Sequence, residues 1–107
     1  VTEHKAAYIT ISQDELDSCN YQKGDTEGFV NYGLSVAGIE MAVLMTESKK
    51  ENMIKMSFRS KGDLAVNLFA KTYFEGGGHI NAAGGKSNKS LQETEAYFLK
   101  SLATFLS

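Results

Sequence analysis

The run IEMAVLMTES, residues 39–48, sets the tightest limit on what this chain can fold into. It is almost continuously apolar, the pattern of a strand covered on both faces. Such a strand belongs in the middle of a sheet with further layers over it. The segment NMIKMSFRS (52–60) behaves differently. Its Ile54, Met56 and Phe58 share one face, while Lys55, Ser57 and Arg59 share the other. KKEN (49–52) reads as the hairpin connection between them, although it lacks the Asn-Gly pair of the tightest turns. Upstream, AAYITIS (6–12) is apolar and β-branched and reads as another strand.

Helices fill the remaining space. Ser12 with Glu15 has the spacing of a capping box opening a short helix, QDELDS, and Ser90 with Glu93 repeats that spacing before a final helix over 91–106. That last helix would bury Phe98, Leu99, Leu102, Phe105 and Leu106. Gly62 and Asp63 stop the strand at 52–60 and cap a helix over 64–74, in which Leu64 and Leu68, with Ala65, Phe69 and Tyr73, recur on one side. Residues 20–28 read as a loop, 29–38 as one or two helical turns weakened by Gly33, and 82–87 as a short edge strand. The expected architecture is α/β: a single domain, residues 1–107, with a small mixed β-sheet packed by helices in two or three layers.

Composition narrows the function. At 107 residues the chain can bury a core without staples. Cys19 stands alone, so no internal disulfide forms and a reducing, cytoplasmic setting fits best. Eleven basic residues face thirteen acidic ones, for a net charge of −2. Binding a long nucleic acid takes many phosphate contacts and a basic stripe, and none is evident here. Any nucleotide bound would offer a few phosphates to one local site. The chain opens on Val1, and VTEHK reads as the remnant of a linker in a piece cut from a longer polypeptide.

A free-standing hydrolase needs a nucleophile with its base, a carboxylate pair or a metal cluster. His4 and His79 are the two histidines, neither with a partner at ligand spacing, and G-x-S-x-G does not occur. The expectation is no catalytic residue and no metal ligand in these residues.

Two elements do carry binding chemistry. In FEGGGHINAAGG (74–85), Gly76, Gly77 and Gly78 precede His79. Three glycines free the backbone to aim its N–H groups at an anion, and HINAA could begin a helical turn that adds to the attraction. His79 would donate to a phosphate or carboxylate oxygen. The alternative is a helix C-cap and close packing turn, which one glycine would satisfy. Arg59 can fork two N–H groups onto a phosphate, Ser60 adds a hydroxyl and Lys61 adds charge from further out. The plain alternative for Arg59 is a solvated strand end. The sequence leaves open whether the two elements share a cleft.

SFRSKGDLAVNLFAKTYFEGGGHINAAGG (57–85), with DTEGFVNYGLSVAGIEMAVLMTE (25–47), resembles the C-terminal DHH-associated domain (subfamily 1) of DHH-family phosphoesterases. It is similar to the small bacterial enzymes described as oligoribonuclease (nanoRNase) and 3′-phosphoadenosine 5′-phosphate phosphatase. The resemblance implies that an N-terminal DHH domain holds two manganese ions and hydrolyses phosphoesters, while this domain grips the substrate. It implies substrate-binding roles for Arg59, Ser60, Gly76, Gly77, Gly78 and His79. The implied partners are a short RNA or nucleotide phosphate and the DHH domain of the same chain; a homodimer of the parent enzyme stays open. No D-H-H run occurs here, so metal binding and turnover do not carry over to these residues. Two other readings compete. One is a non-catalytic RNA-binding module of the kind that ends alanyl-tRNA synthetases, which usually show a longer glycine run and Arg-Pro-Asp where His79 stands. The other is an exopolyphosphatase-type hydrolase of small phosphoesters.

Overall fold

In the computed structural model, residues 6–12, 14–15 and 39–106 are described. The helix expected over 13–18 beyond its first residues, the segments 20–28 and 29–38, Cys19, His4 and VTEHK lie outside them. Five strands form one sheet in the order β1-β2-β3-β5-β4. They are β1 (Ala6–Ile11), β2 (Met41–Ser48), β3 (Met53–Ser60), β4 (Gly77–His79) and β5 (Ala82–Ser87). Helix α1 (Val66–Tyr73) follows β3, and α2 (Leu91–Leu106) closes the order. β1 runs parallel to β2, and every other neighbour is antiparallel. The sheet is mixed, and the fold is α/β.

The apolar run becomes β2, whose residues 41–45 are all buried, as a central strand requires. β3 keeps the expected alternation: Ile54, Met56 and Phe58 are at most 3 % exposed and Lys55 lies in solvent. Both helices cover the face that carries Met41, Val43, Met45, Met56 and Phe58. There Phe69 of α1 meets Phe58 and Phe98 edge-on, with ring centroids 5.6 and 6.0 Å apart. Each fully buried phenylalanine contributes about 2 kcal/mol by leaving water. The β2–β3 turn dispenses with Asn-Gly because Asn52 itself takes the left-handed conformation, φ 53°.

Four expectations change. α1 begins at Val66, not at residue 64, and Asp63 does not cap it: Ala65 stands at the cap position with no side-chain hydrogen bond. The Val66 N–H donates instead to Ile80 O at 2.9 Å, so a neighbouring loop does the capping. Leu68 is 54 % exposed, because the buried side of this short helix is Val66, Phe69 and Ala70. The glycine run is not a loop with a helical turn after it; Gly77–His79 is a strand. That makes β4 the edge and puts β5 inside the sheet.

The capping boxes form as the spacing dictates. Ser12 N–H donates to Glu15 Oε1 at 2.9 Å, and Glu15 N–H returns to Ser12 Oγ at 3.1 Å. At α2, Ser90 N–H reaches Glu93 Oε1 and Glu93 N–H reaches Ser90 Oγ. The Ser90 amide and hydroxyl hold the Glu93 carboxyl below the usual glutamate range. A carboxyl lowered in the folded state stabilises above its ordinary pKa and loses that contribution as pH falls through the lowered value. Ser90→Ala should cost about 1 kcal/mol in urea unfolding, and Glu93→Gln should flatten the acid side of the stability profile. Unchanged melts for Ser90→Ala would show that the cap is idle.

Candidate functional site

The sheet face opposite the helices is where the two sequence elements meet. Arg59 of β3 pairs with Ala82 of β5, and Ala82 pairs with His79 of β4. Partners across neighbouring strands share a face, so Arg59 and His79 stand at the two ends of one row with Ala82 between. The next row is Ser57–Gly84–Gly77. Exposure rises along the first row: Ala42 on β2 is 3 % exposed, Arg59 and Ala82 are half-buried, and His79 lies in solvent. The floor between the arginine and the histidine is therefore small side chains and open backbone.

Strand geometry sets the spacing. The Lys86 N–H donates to Phe74 O at 2.8 Å, away from β3. By alternation Ala82 and Gly84 also turn their N–H groups toward β4. Arg59–Ala82 is then a narrow, non-hydrogen-bonded pair and Ala82–His79 a wide one, which places the Arg59 and His79 Cα atoms ~10 Å apart. An arginine and a histidine reaching inward from those ends converge over Ala82. Among the described residues one Arg59 donor is engaged, Nη1 on Phe58 O at 2.9 Å, of the about five that a guanidinium carries.

The three glycines do different work. A Cβ on Gly76 would lie 1.9 Å from Gly84 O, so glycine there permits the close approach of the chain to β5. Gly78 has φ 143°, and a Cβ would meet Ala82 O at 2.8 Å. Gly77 has open space around it, and nothing inside the chain demands glycine at that position. The backbone nest expected from the sequence is not there. Gly76 N–H donates to Ala70 O at 3.1 Å, and Gly77 and His79 face β5 in hydrogen-bonded pairs. The left-handed residue that ends α1 is Glu75, φ 50°, rather than any glycine. The cationic or donor groups that this face offers are therefore side chains, Arg59 and His79.

Ser60 parts company with Arg59. Adjacent residues of a strand face opposite ways, and Ser60 turns to the helix side, 6 % exposed. Its hydroxyl donates to Leu64 O at 2.6 Å and accepts from Asn81 Nδ2 at 2.8 Å. Ser60 N–H also donates to Asn81 O at 3.1 Å, and Asn81 Nδ2 reaches Gly62 O. This knot ties the Ile80–Asn81 turn to the end of β3 and so holds His79 in the row with Arg59. Ser60 and Asn81 thus face each other inside the fold, and no motif in the sequence marks Asn81. Lys61 is exposed beyond the strand end, its N–H on Glu40 O.

Among the described residues no three histidine, cysteine, aspartate or glutamate side chains gather to hold a metal. Among these described residues no ligand set suits manganese. Among the same residues no helix is long and apolar enough to cross a membrane.

Solved structures similar to this one share its architecture. An exopolyphosphatase-related protein from Bacteroides fragilis matches with TM-score 0.90 and 34% identity, over 98% of this chain and 30% of its own. The C-Ala domain of Aquifex aeolicus alanyl-tRNA synthetase matches with TM-score 0.65 and 11% identity, over 95% of this chain and 90% of its own. An uncharacterized protein from Helicobacter pylori G27 matches with TM-score 0.57 and 17% identity, over 90% of this chain and 25% of its own. At those lower identities the last two share the fold alone. This chain thus spans about a third of the Bacteroides protein's length. No curated protein matches it. The DHHA1 domain family matches residues 5–107, nearly end to end, and the chain belongs to that family.

Proposed function

We propose that this domain grips the phosphate of a nucleotide substrate and presents it to a phosphoesterase centre carried by a separate DHH domain. Arg59 and His79 are the gripping side chains, and Gly77, Gly84 and Ala82 keep the floor clear. The observation behind this reading is their shared row on the sheet face opposite α1 and α2. An arginine fork supplies charge-assisted hydrogen bonds in a plane, and the histidine donates from the opposite side. In the wider protein manganese would belong to the DHH domain, and short oligoribonucleotides or 3′-phosphoadenosine 5′-phosphate would be the substrates. Gly76, Gly78 and Ser60 serve by placing His79.

The alanyl-tRNA synthetase type of RNA module shares the fold but, in this reading, would lack a reason for Arg59 and His79 to face each other over small residues. Residues 1–107 with manganese should release no mononucleotide from a short oligoribonucleotide, while the full-length protein should. Release by the purified domain alone would mean that it holds a catalytic centre of its own. Affinity should fall gently with salt, with a logarithmic slope of about −0.7 per phosphate held. A steep slope would point instead to a RecJ-like grip on a long strand.

A further inference from the structure

A cleft of about 340 Å³ opens where the end of β5 meets the end of α1 and the first half of α2. Tyr73, Phe74, Glu75, Lys86, Lys89 and Tyr97 line it, and no residue of the Arg59–His79 row does. Its wall is aromatic. The Tyr97 ring stands edge-on to Phe74 and to Tyr73, with centroids 5.4 and 6.4 Å apart. Phe74 is buried beneath, while the two tyrosines are half-buried and keep part of their rings open to the cleft. Among the described residues neither tyrosine hydroxyl has a hydrogen-bond partner. The segment that bears Lys89 is fixed from within the fold. Ser87, 8 % exposed, accepts from Thr94 Oγ1 at 2.8 Å and from the Lys89 N–H at 3.2 Å. Thr94 is itself buried, and Ser90 opens the capping box of α2 directly after Lys89. Lys89 Nζ then rests 5.3 Å from the Tyr97 centroid, an attraction that keeps the ammonium at the wall. Lys86 is tied through its backbone, N–H on Phe74 O.

We infer that this cleft binds a flat aromatic monocarboxylate, its ring against the tyrosines and its carboxylate on the two lysines. An aromatic wall with a few polar groups at its rim is the lining of a small-molecule site, and the volume lies at the lower end of such sites, about 300–1,000 Å³. Rings set edge to face gain from a third ring placed beside them. Lysine ammonium groups give a carboxylate charge-assisted hydrogen bonds, and the phenolic hydroxyls add neutral ones. Charge sets the valence of the ligand. Lys86 and Lys89 bring two positive charges and Glu75 brings one negative charge, which leaves a single positive charge. Among the described residues neither Lys86 nor Glu75 makes an ion pair that would change that balance. Glu93 feels the Lys89 charge but is held on the Ser90 amide and does not line the cleft. One carboxylate neutralises the site, whereas a phosphate dianion would bring its second charge against Glu75. The site stands apart from the nucleotide reading above, and neither depends on the other.

Calorimetric titration of the full-length protein without divalent metal tests this with three probes of one shape: 2-naphthoate, its neutral amide 2-naphthamide, and 2-naphthyl phosphate. The naphthoate should bind about tenfold more tightly than the amide. Lys89→Gln should remove that advantage and Lys89→Arg should retain it. Should Lys89→Gln misfold by circular dichroism, Lys86→Gln carries the same comparison. Arg59→Ala should leave naphthoate affinity unchanged, which separates this site from the nucleotide grip. Failure of naphthoate to bind, equal affinity for the amide, or binding that neither lysine substitution weakens overturns the site. Tighter binding of the naphthyl phosphate than of the naphthoate overturns the choice of a monocarboxylate. Displacement of bound naphthoate by a nucleoside monophosphate would make the cleft part of the nucleotide site and overturn its independence.

Discussion

Gly76→Ala should lower stability by about 3 kcal/mol or more, and Gly77→Ala, one residue on, should leave it unchanged or slightly raised. At Gly76 the new methyl would sit 1.9 Å from Gly84 O and 2.7 Å from the Gly85 Cα. Both neighbours are backbone of an interior strand, so relief requires β4 to leave β5. Overpacked side chains typically cost about 1–3 kcal/mol, and here no side chain can yield. For a domain of this size the melting temperature would drop by roughly 12 °C or more. Gly77 has nothing nearby and no left-handed φ, so alanine there removes unfolded-state freedom at no steric cost. A loss below about 1 kcal/mol at Gly76 would contradict the close approach of the chain to β5. If Gly77→Ala weakens nucleotide binding while the fold holds, that glycine is kept for the ligand.

Arg59→Ala carries the second large effect. Removing a guanidinium that donates to a phosphate should cost about 2–3 kcal/mol of binding, roughly 30- to 150-fold in affinity. Stability should move by less than about 1 kcal/mol, since among the described residues the side chain makes one hydrogen bond, to Phe58 O. Titration of nucleotide together with urea unfolding separates the two outcomes. Equal loss of binding and stability would recast Arg59 as a structural residue.

Much of the fold is legible in the residues because its signals are local. Burial on both faces follows from the composition of 41–45, and the alternation of 53–60 by itself assigns Arg59 to the face opposite Ile54, Met56 and Phe58. The capping boxes appear where their spacing puts them. The strand at 77–79 stays hidden because glycine has no side chain to alternate, and because its pairing with β5 depends on a close approach that only three dimensions reveal. Ser60 looks like a companion to Arg59 when the two letters are read together, yet strand alternation sends it to the opposite face. Asn81 carries no signature at all: its importance arises from contacts to Ser60 and Gly62, about twenty positions away. The start of α1 is set by Ile80 O, which no pattern within the helix encodes.

A double-mutant cycle over Arg59→Ala and His79→Ala, read as nucleotide affinity in the full-length protein, tests whether the two side chains grip one phosphate. Two side chains that hold one phosphate from opposite ends of a row should couple, with an interaction energy of about 1 kcal/mol or more. The second substitution should cost much less once the first is made. Additive losses, or no loss from His79→Ala, would mean that the row does not grip a single anion.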